Sequence, residues 1–140
     1  MMGDFAAREV SEADAMRAAV SVRSEYLPKD RLPDALAGGD DYWFAYHIRI
    51  ENLGDAPFRL LARRWTITDG NNQIREVRGS GVIGEQPHLQ PGAHYEYGSY
   101  VDMPTPAGMM SGAYLMRPDD GEDFEARIPQ FSLCAPLSLN

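Results

Sequence analysis

Tyr42 to Glu51 alternates with a strict period of two. Tyr42, Phe44, Tyr46, Ile48 and Ile50 fall on one side, and Trp43, Ala45, His47, Arg49 and Glu51 on the other. Only an extended strand gives successive side chains opposite directions. One face of this strand is expected to be buried and the other largely solvated. The same pattern recurs along the chain between turn signals. Val20–Tyr26, Gln73–Arg78, His94–Val101, Met109–Met116 and Asp123–Phe131 all have strand character. In Phe58–Thr68 the phase switches, with Phe58 and Leu60 on one parity and Leu61, Trp65 and Ile67 on the other. A bulge near Leu61 to Arg63 accounts for the switch. Seven or eight short strands, with turns every 8–12 residues, predict an all-β antiparallel sandwich, with a barrel as the alternative.

The connections carry the residues that turns require. Asp69-Gly70-Asn71-Asn72 reads as a hairpin turn, and Pro91-Gly92 and Pro118-Asp119-Asp120-Gly121 as further turns. Pro28 to Asp41 holds two prolines and Gly38-Gly39 and reads as a long, mobile loop. Residues 1–19 stand apart from this pattern. Ser11–Ala19 is alanine-rich with a Ser-x-x-Asp start, which predicts a short capped helix or a loosely held arm. The domain proper is expected over residues 20–140.

Gly79-Ser80-Gly81-Val82-Ile83-Gly84 matches the G-x-G-x-x-G spacing of dinucleotide-binding loops. Such a loop needs a helix immediately after it, whose N-terminus receives the pyrophosphate. Here Pro87 follows three positions after the last glycine, and Pro91-Gly92 comes soon after, so a crossover helix has no room. Glycines at a turn or bulge are a sufficient structural reason for the motif. A second reading is a nest of backbone N–H groups that takes a small phosphate without a helix. Gly79, Gly81 and Gly84 would then supply the donors, and Arg63, Arg64 and Arg78 the positive charge.

The 140 residues carry a formal charge of −8. That opposes sequence-independent nucleic-acid binding and docking on anionic lipid. The charge is uneven: residues 49–78 hold six arginines against four acids, so a basic patch for a small anion is compatible with it. The single cysteine, Cys134, excludes an intrachain disulfide. No apolar run is long enough for a membrane helix, and the first 20 residues lack a signal-peptide core. A cytoplasmic location is expected.

Catalytic and metal motifs are weak. His47, His88 and His94 have no ligand spacing, and Asp119-Asp120-Gly121-Glu122-Asp123 lacks the full calcium-loop pattern. Met109, Met110 and Met116 read as core filler. Neither a catalytic group nor a resident metal is assigned. Trp43, on the polar face of its strand, is the candidate interaction residue, since exposed aromatics mark interfaces. Edge strands offer a route to a homodimer.

The ordered set Tyr26-Leu27, Phe44-Ala45-Tyr46, Glu51-Asn52, Arg63 and Trp65, Ile67-Thr68-Asp69, Gly79, Gly81-Val82, Gly84-Glu85, Pro87, Pro91-Gly92, Thr105-Pro106, Gly112 and Tyr114, and Ile128-Pro129 resembles the bacterial ApaG family over about residues 20–140. The chain departs from the family pattern at Arg64, where a histidine is usual. It departs again at Tyr97-Gly98-Ser99-Tyr100, where Tyr-Thr-Ser-Gly is usual. The resemblance implies a fibronectin type III or immunoglobulin-like sandwich. It implies a cytoplasmic protein linked to cobalt resistance and magnesium efflux, with partner binding rather than an established catalytic mechanism. Any Mg²⁺ or Co²⁺ is expected to arrive with a phosphate ligand.

Overall fold

The computed structural model describes residues 7–9 and 17–136. Nine strands follow in chain order among them: β1 (Ala7–Glu9), β2 (Ala18–Leu27), β3 (Tyr42–Asn52), β4 (Phe58–Asp69), β5 (Ile74–Ser80), β6 (His88–Leu89), β7 (His94–Met103), β8 (Ala107–Pro118) and β9 (Phe124–Cys134). They form two antiparallel sheets, β1-β2-β3-β7 and β5-β4-β8-β9, with β6 added to β4. This is a sandwich rather than a barrel. The expected strands are all present, several of them longer at the ends.

The alternation in β3 works as predicted: Phe44, Tyr46, Ile48 and Ile50 are buried, and His47, Arg49 and Glu51 are half-exposed. Ala45, expected outside, is buried as well. In β4 the register shifts between Leu60 and Ala62, where the bulge was expected. That one extra residue returns Trp65 and Ile67 to the core beside Phe58 and Leu60. The aromatic centre is tightly interlocked. Trp65 meets Tyr46 edge-on at 5.3 Å and Phe131 at 6.0 Å, and Phe58 meets Phe124 at 5.4 Å.

Two expectations need correction. Ser11–Ala19 does not end as a helix, because Ala18 and Ala19 open β2, paired with Asn52 and Glu51 and buried. Pairing and burial outweigh the helix preference of alanine. The helix start, Ser11 to Met16, lies outside the described residues. The arm is also not free of the fold, since Ala7–Glu9 adds a strand beside Val20–Val22. The Pro28–Asp41 connection is less irregular than expected. It contains a 3-10 turn, Lys29–Arg31, and one α-helical turn, α1 (Asp34–Ala37).

The Asn52 side chain ties the β3–β4 turn to β6. Its Nδ2 donates to Ala56 O and Leu89 O, both at 2.9 Å, and its Oδ1 accepts from Gly54 N at 2.9 Å. It is 1% exposed. Asn52→Ala removes all three bonds and leaves the buried Leu89 carbonyl without this partner. A loss of about 2–3 kcal/mol is expected in urea unfolding; a loss within experimental error would show that these bonds contribute nothing net.

Candidate functional site

The glycine stretch is a tight turn at the end of β5. Gly79 and Ser80 still belong to the strand. Gly81 N donates to Leu61 O at 2.7 Å, at the bulge of β4. Val82 N donates to Glu85 O at 2.8 Å, and Glu85 N returns a bond to Val82 O at 2.9 Å. Ile83 and Gly84 both take positive φ, 48° and 76°. Three N–H groups of the loop are therefore engaged within the protein itself. Gly79 has a separate role: a Cβ there would lie 2.8 Å from Arg63 Nη1, so the missing side chain makes room for the Arg63 guanidinium.

The three predicted arginines meet around one depression but reach it from opposite faces of their sheet. Arg63 shares the parity of Trp65 and turns its side chain toward the space between the sheets, donating to Ser80 O at 3.1 Å and Gly81 O at 2.9 Å. Arg64 and Arg78 are cross-strand partners on the outer face of the β5-β4-β8-β9 sheet. Together with Arg63, Gly79 and Ala113 they line a shallow depression of about 390 Å³. There Arg64 lies 3.4 Å from Glu125, and Arg78 lies 3.6 Å from Glu76. Trp43 is half-buried on the far sheet, between Leu27 and Asp102 in register. The described part of the arm, beside Val20–Val22, is at the other end of β2 from it.

What sequence reading missed is a seam. The two sheets close at one side, where β9 packs on β2 and Ser24 Oγ donates to Ser132 O at 3.1 Å. At the opposite side the edge strands β5 and β7 stay apart. Arg75 spans the gap. Its guanidinium donates to Asp102 O and lies 3.6 Å from the Asp102 carboxylate. Asp102 also hydrogen-bonds Asp41, which raises the Asp41 carboxyl above its ordinary range, with burial adding to the effect. Under this strap lies a groove of about 280 Å³. Tyr46, Arg63, Trp65 and Tyr97 line it, and Val77, Ile83 and Tyr100 stand at its rim, 37%, 59% and 67% exposed. Burial is the main cause that lifts the Tyr46, Tyr97 and Tyr114 hydroxyls above the usual tyrosine range. Tyr97 and Tyr114 share a hydrogen bond between their hydroxyls, 2.5 Å apart.

The histidines and acids stand elsewhere. His88 Nε2 lies 2.8 Å from Asp119, and Arg117 holds Asp123 by two 2.9 Å bonds, which lower the Asp123 carboxyl below its ordinary value. Among the described residues no three His, Cys, Asp or Glu side chains converge as a metal site. Of the three methionines, Met110 and Met116 are core, while Met109 is 41% exposed. No helix among the described residues is long and apolar enough to cross a membrane.

The sequence profile of the ApaG domain matches residues 36–118. Protein ApaG of Chromobacterium violaceum is 54% identical over 101 residues, 72% of this chain and 80% of that protein. The chain belongs to the ApaG family. Protein ApaG of Dechloromonas aromatica is 43% identical over 131 residues, 94% of this chain and the whole of that protein. Among solved structures, the ApaA protein of Bordetella pertussis superimposes with a TM-score of 0.76 at 40% identity, over 86% of this chain and 95% of the other. The ApaG sandwich thus extends on both sides of the matched segment, since β2 and β9 are needed to close the core.

Proposed function

We propose that this ApaG-family chain is a non-enzymatic binding module of divalent-cation homeostasis, and that it docks a partner protein at the seam between β5 and β7. The observation that carries this reading is the rim. Val77, Ile83 and Tyr100 expose apolar surface beside two sheet edges whose outward backbone groups have no strand partner among the described residues. Exposed aromatic and branched residues around a concave centre suit protein docking, and an open edge suits strand addition. The link to cobalt and magnesium comes from the family and needs no metal site on this protein. Trp43, on the neighbouring sheet face, extends the same surface as a secondary contact.

A photocrosslinking residue placed at Tyr100 should give a discrete protein adduct in cells, and one placed at Thr66 on the outer face should not. Ile83→Glu with Tyr100→Glu should reduce cobalt tolerance as far as deletion of the protein does. Equal labelling from both positions, or full tolerance in the double variant, would refute docking at the seam. An adduct of the chain with itself would identify a homodimer instead.

A phosphate reading keeps one supporting feature, the outer-face pair Arg64 and Arg78 beside Gly79. Mg²⁺ or Co²⁺ would enter that site with pyrophosphate. Stabilisation by pyrophosphate in a thermal-shift assay should then vanish in Arg64→Ala with Arg78→Ala.

A further inference from the structure

The floor of the seam has an excess of hydrogen-bond donors. Arg63 gives two bonds to the carbonyls of Ser80 and Gly81, and no carboxylate among the described residues pairs with it. Neutral carbonyl oxygens fix its position but leave its charge uncompensated, within a chain of net charge −8. Beside it, Trp65 is 2% exposed and its Nε1 has no hydrogen-bond partner. An unmade bond at a buried donor is unfavourable. The orientation of the indole is informative. Its benzo edge lies against Gly112, where an added Cβ would come 3.2 Å from Trp65 Cε3. The pyrrole edge with Nε1 is therefore turned away from β8, toward β5 and the seam. The phenols of Tyr46 and Tyr97 stay un-ionised through the physiological range, so they add no negative charge. The walls are aromatic, Val77, Ile83 and Tyr100 give the rim an apolar part, and the Asp102 carboxylate beside the groove is paired with Arg75.

We propose that this groove binds a small organic carboxylate with an aromatic or branched apolar body, its carboxylate set against Arg63 and Trp65 Nε1 and its body among Val77, Ile83 and Tyr100. The proposal rests on reading the seam as a binding surface and names the ligand chemistry it would take. Each part of the ligand answers one feature of the site. The carboxylate is a planar, charged acceptor that suits a guanidinium and an N–H donor. The apolar body suits the rim. The groove, at about 280 Å³, is near the low end of ligand-site volumes, which limits the occupant to a fragment-sized acid. Such a ligand would be sensed by the same surface that receives the partner.

The chain has two tryptophans, Trp43 and Trp65, so the indole N–H region of a ¹⁵N spectrum holds two signals, assigned with Trp43→Phe. The full chain is titrated with phenylacetate, indole-3-acetate and isovalerate, and in parallel with phenylacetamide, indole-3-acetamide and inorganic phosphate. The acids should move the Trp65 signal saturably, with dissociation constants of about 1 mM or tighter, and leave Trp43 in place. The amides should bind about tenfold more weakly, and phosphate should leave the Trp65 signal unmoved. Arg63→Gln should weaken the acids about tenfold and the amides little. Because Arg63 also braces the glycine turn, Tyr100→Glu serves as a second variant: its exposed position spares the fold, and its charge at the rim should weaken the acids alone. The proposal is overturned if no acid moves the Trp65 signal saturably, if acids and amides bind alike, or if both variants bind the acids as the wild type does. Adducts at Tyr100 that persist after such a failure would show that the seam docks a protein without this ligand.

Discussion

Above pH 10 the protein should lose stability as pH rises, at up to about 1.4 kcal/mol per pH unit for each phenol that the fold keeps protonated. Three phenols are responsible: Tyr46, Tyr97 and Tyr114. In an unfolded chain each ionises near its ordinary value of 10.0. In the native protein burial holds all three protonated to higher pH. Above 10 the unfolded state therefore binds fewer protons than the native state, so the slope of stability against pH is negative. Each phenol contributes about 1.4 kcal/mol per pH unit, and the contribution is fully present below pH 10 and lost as pH rises toward the native values. Urea unfolding from neutral pH upward, read together with tyrosinate absorbance, checks this. Ionisation of these three phenols should coincide with unfolding. Tyr97→Phe should remove about a third of the slope. Smooth ionisation of all seven tyrosines near pH 10 without unfolding would contradict the buried hydroxyl pair.

The residues behind that pair illustrate what could be read from the chain beforehand. Tyr46 and Tyr114 share a parity with core neighbours in their strands, Ile48 and Met116, and period-two alternation places such residues inside. The bulge at Leu61 was legible for the same reason, as a phase switch between Leu60 and Trp65. The start of β2 was not legible. Ala18 and Ala19 have no strand preference of their own and become a strand only by pairing with Glu51 and Asn52. The site divides in the same way. Grouping Arg63 with Arg64 and Arg78 followed their nearness in sequence, and all three line one depression although Arg63 has the opposite strand parity. Parity with Trp65 was the available signal that Arg63 points inward. The seam itself had no local signal. It exists because β5 and β7 are both edge strands on the same side of the sandwich, and strand order is set by long-range pairing.

The turn at Gly81 gives the second large effect. Gly81→Val should destabilise the protein by about 4 kcal/mol or more, and should lower the melting temperature by about 10 °C or more. Gly81 has φ +62°, where a branched side chain is strained. A Cβ there would also overlap Glu85 O, the acceptor of the Val82 N–H. Opening that pair releases Val82, which is fully buried, and the burial of such a side chain stabilises by about 1.5–3 kcal/mol. Gly84 is the matched control. Its φ is +76°, but an added Cβ meets nothing within 4 Å, so Gly84→Ala should cost only the backbone strain, about 1 kcal/mol. Urea unfolding of the two variants tests the difference, and equal losses would show that the Gly81 contact relaxes freely. Gly81→Val is therefore not a substitution that tests the loop for ligand binding with the fold intact. A variant that loosens the turn also loosens Arg63, which is held by the Gly81 carbonyl, and so disturbs the seam and the loop together. Loss of binding in Gly81→Val would not distinguish a phosphate nest from a seam ligand. Arg64→Ala with Arg78→Ala, which touches only the outer face, and Tyr100→Glu, which touches only the seam rim, separate the two.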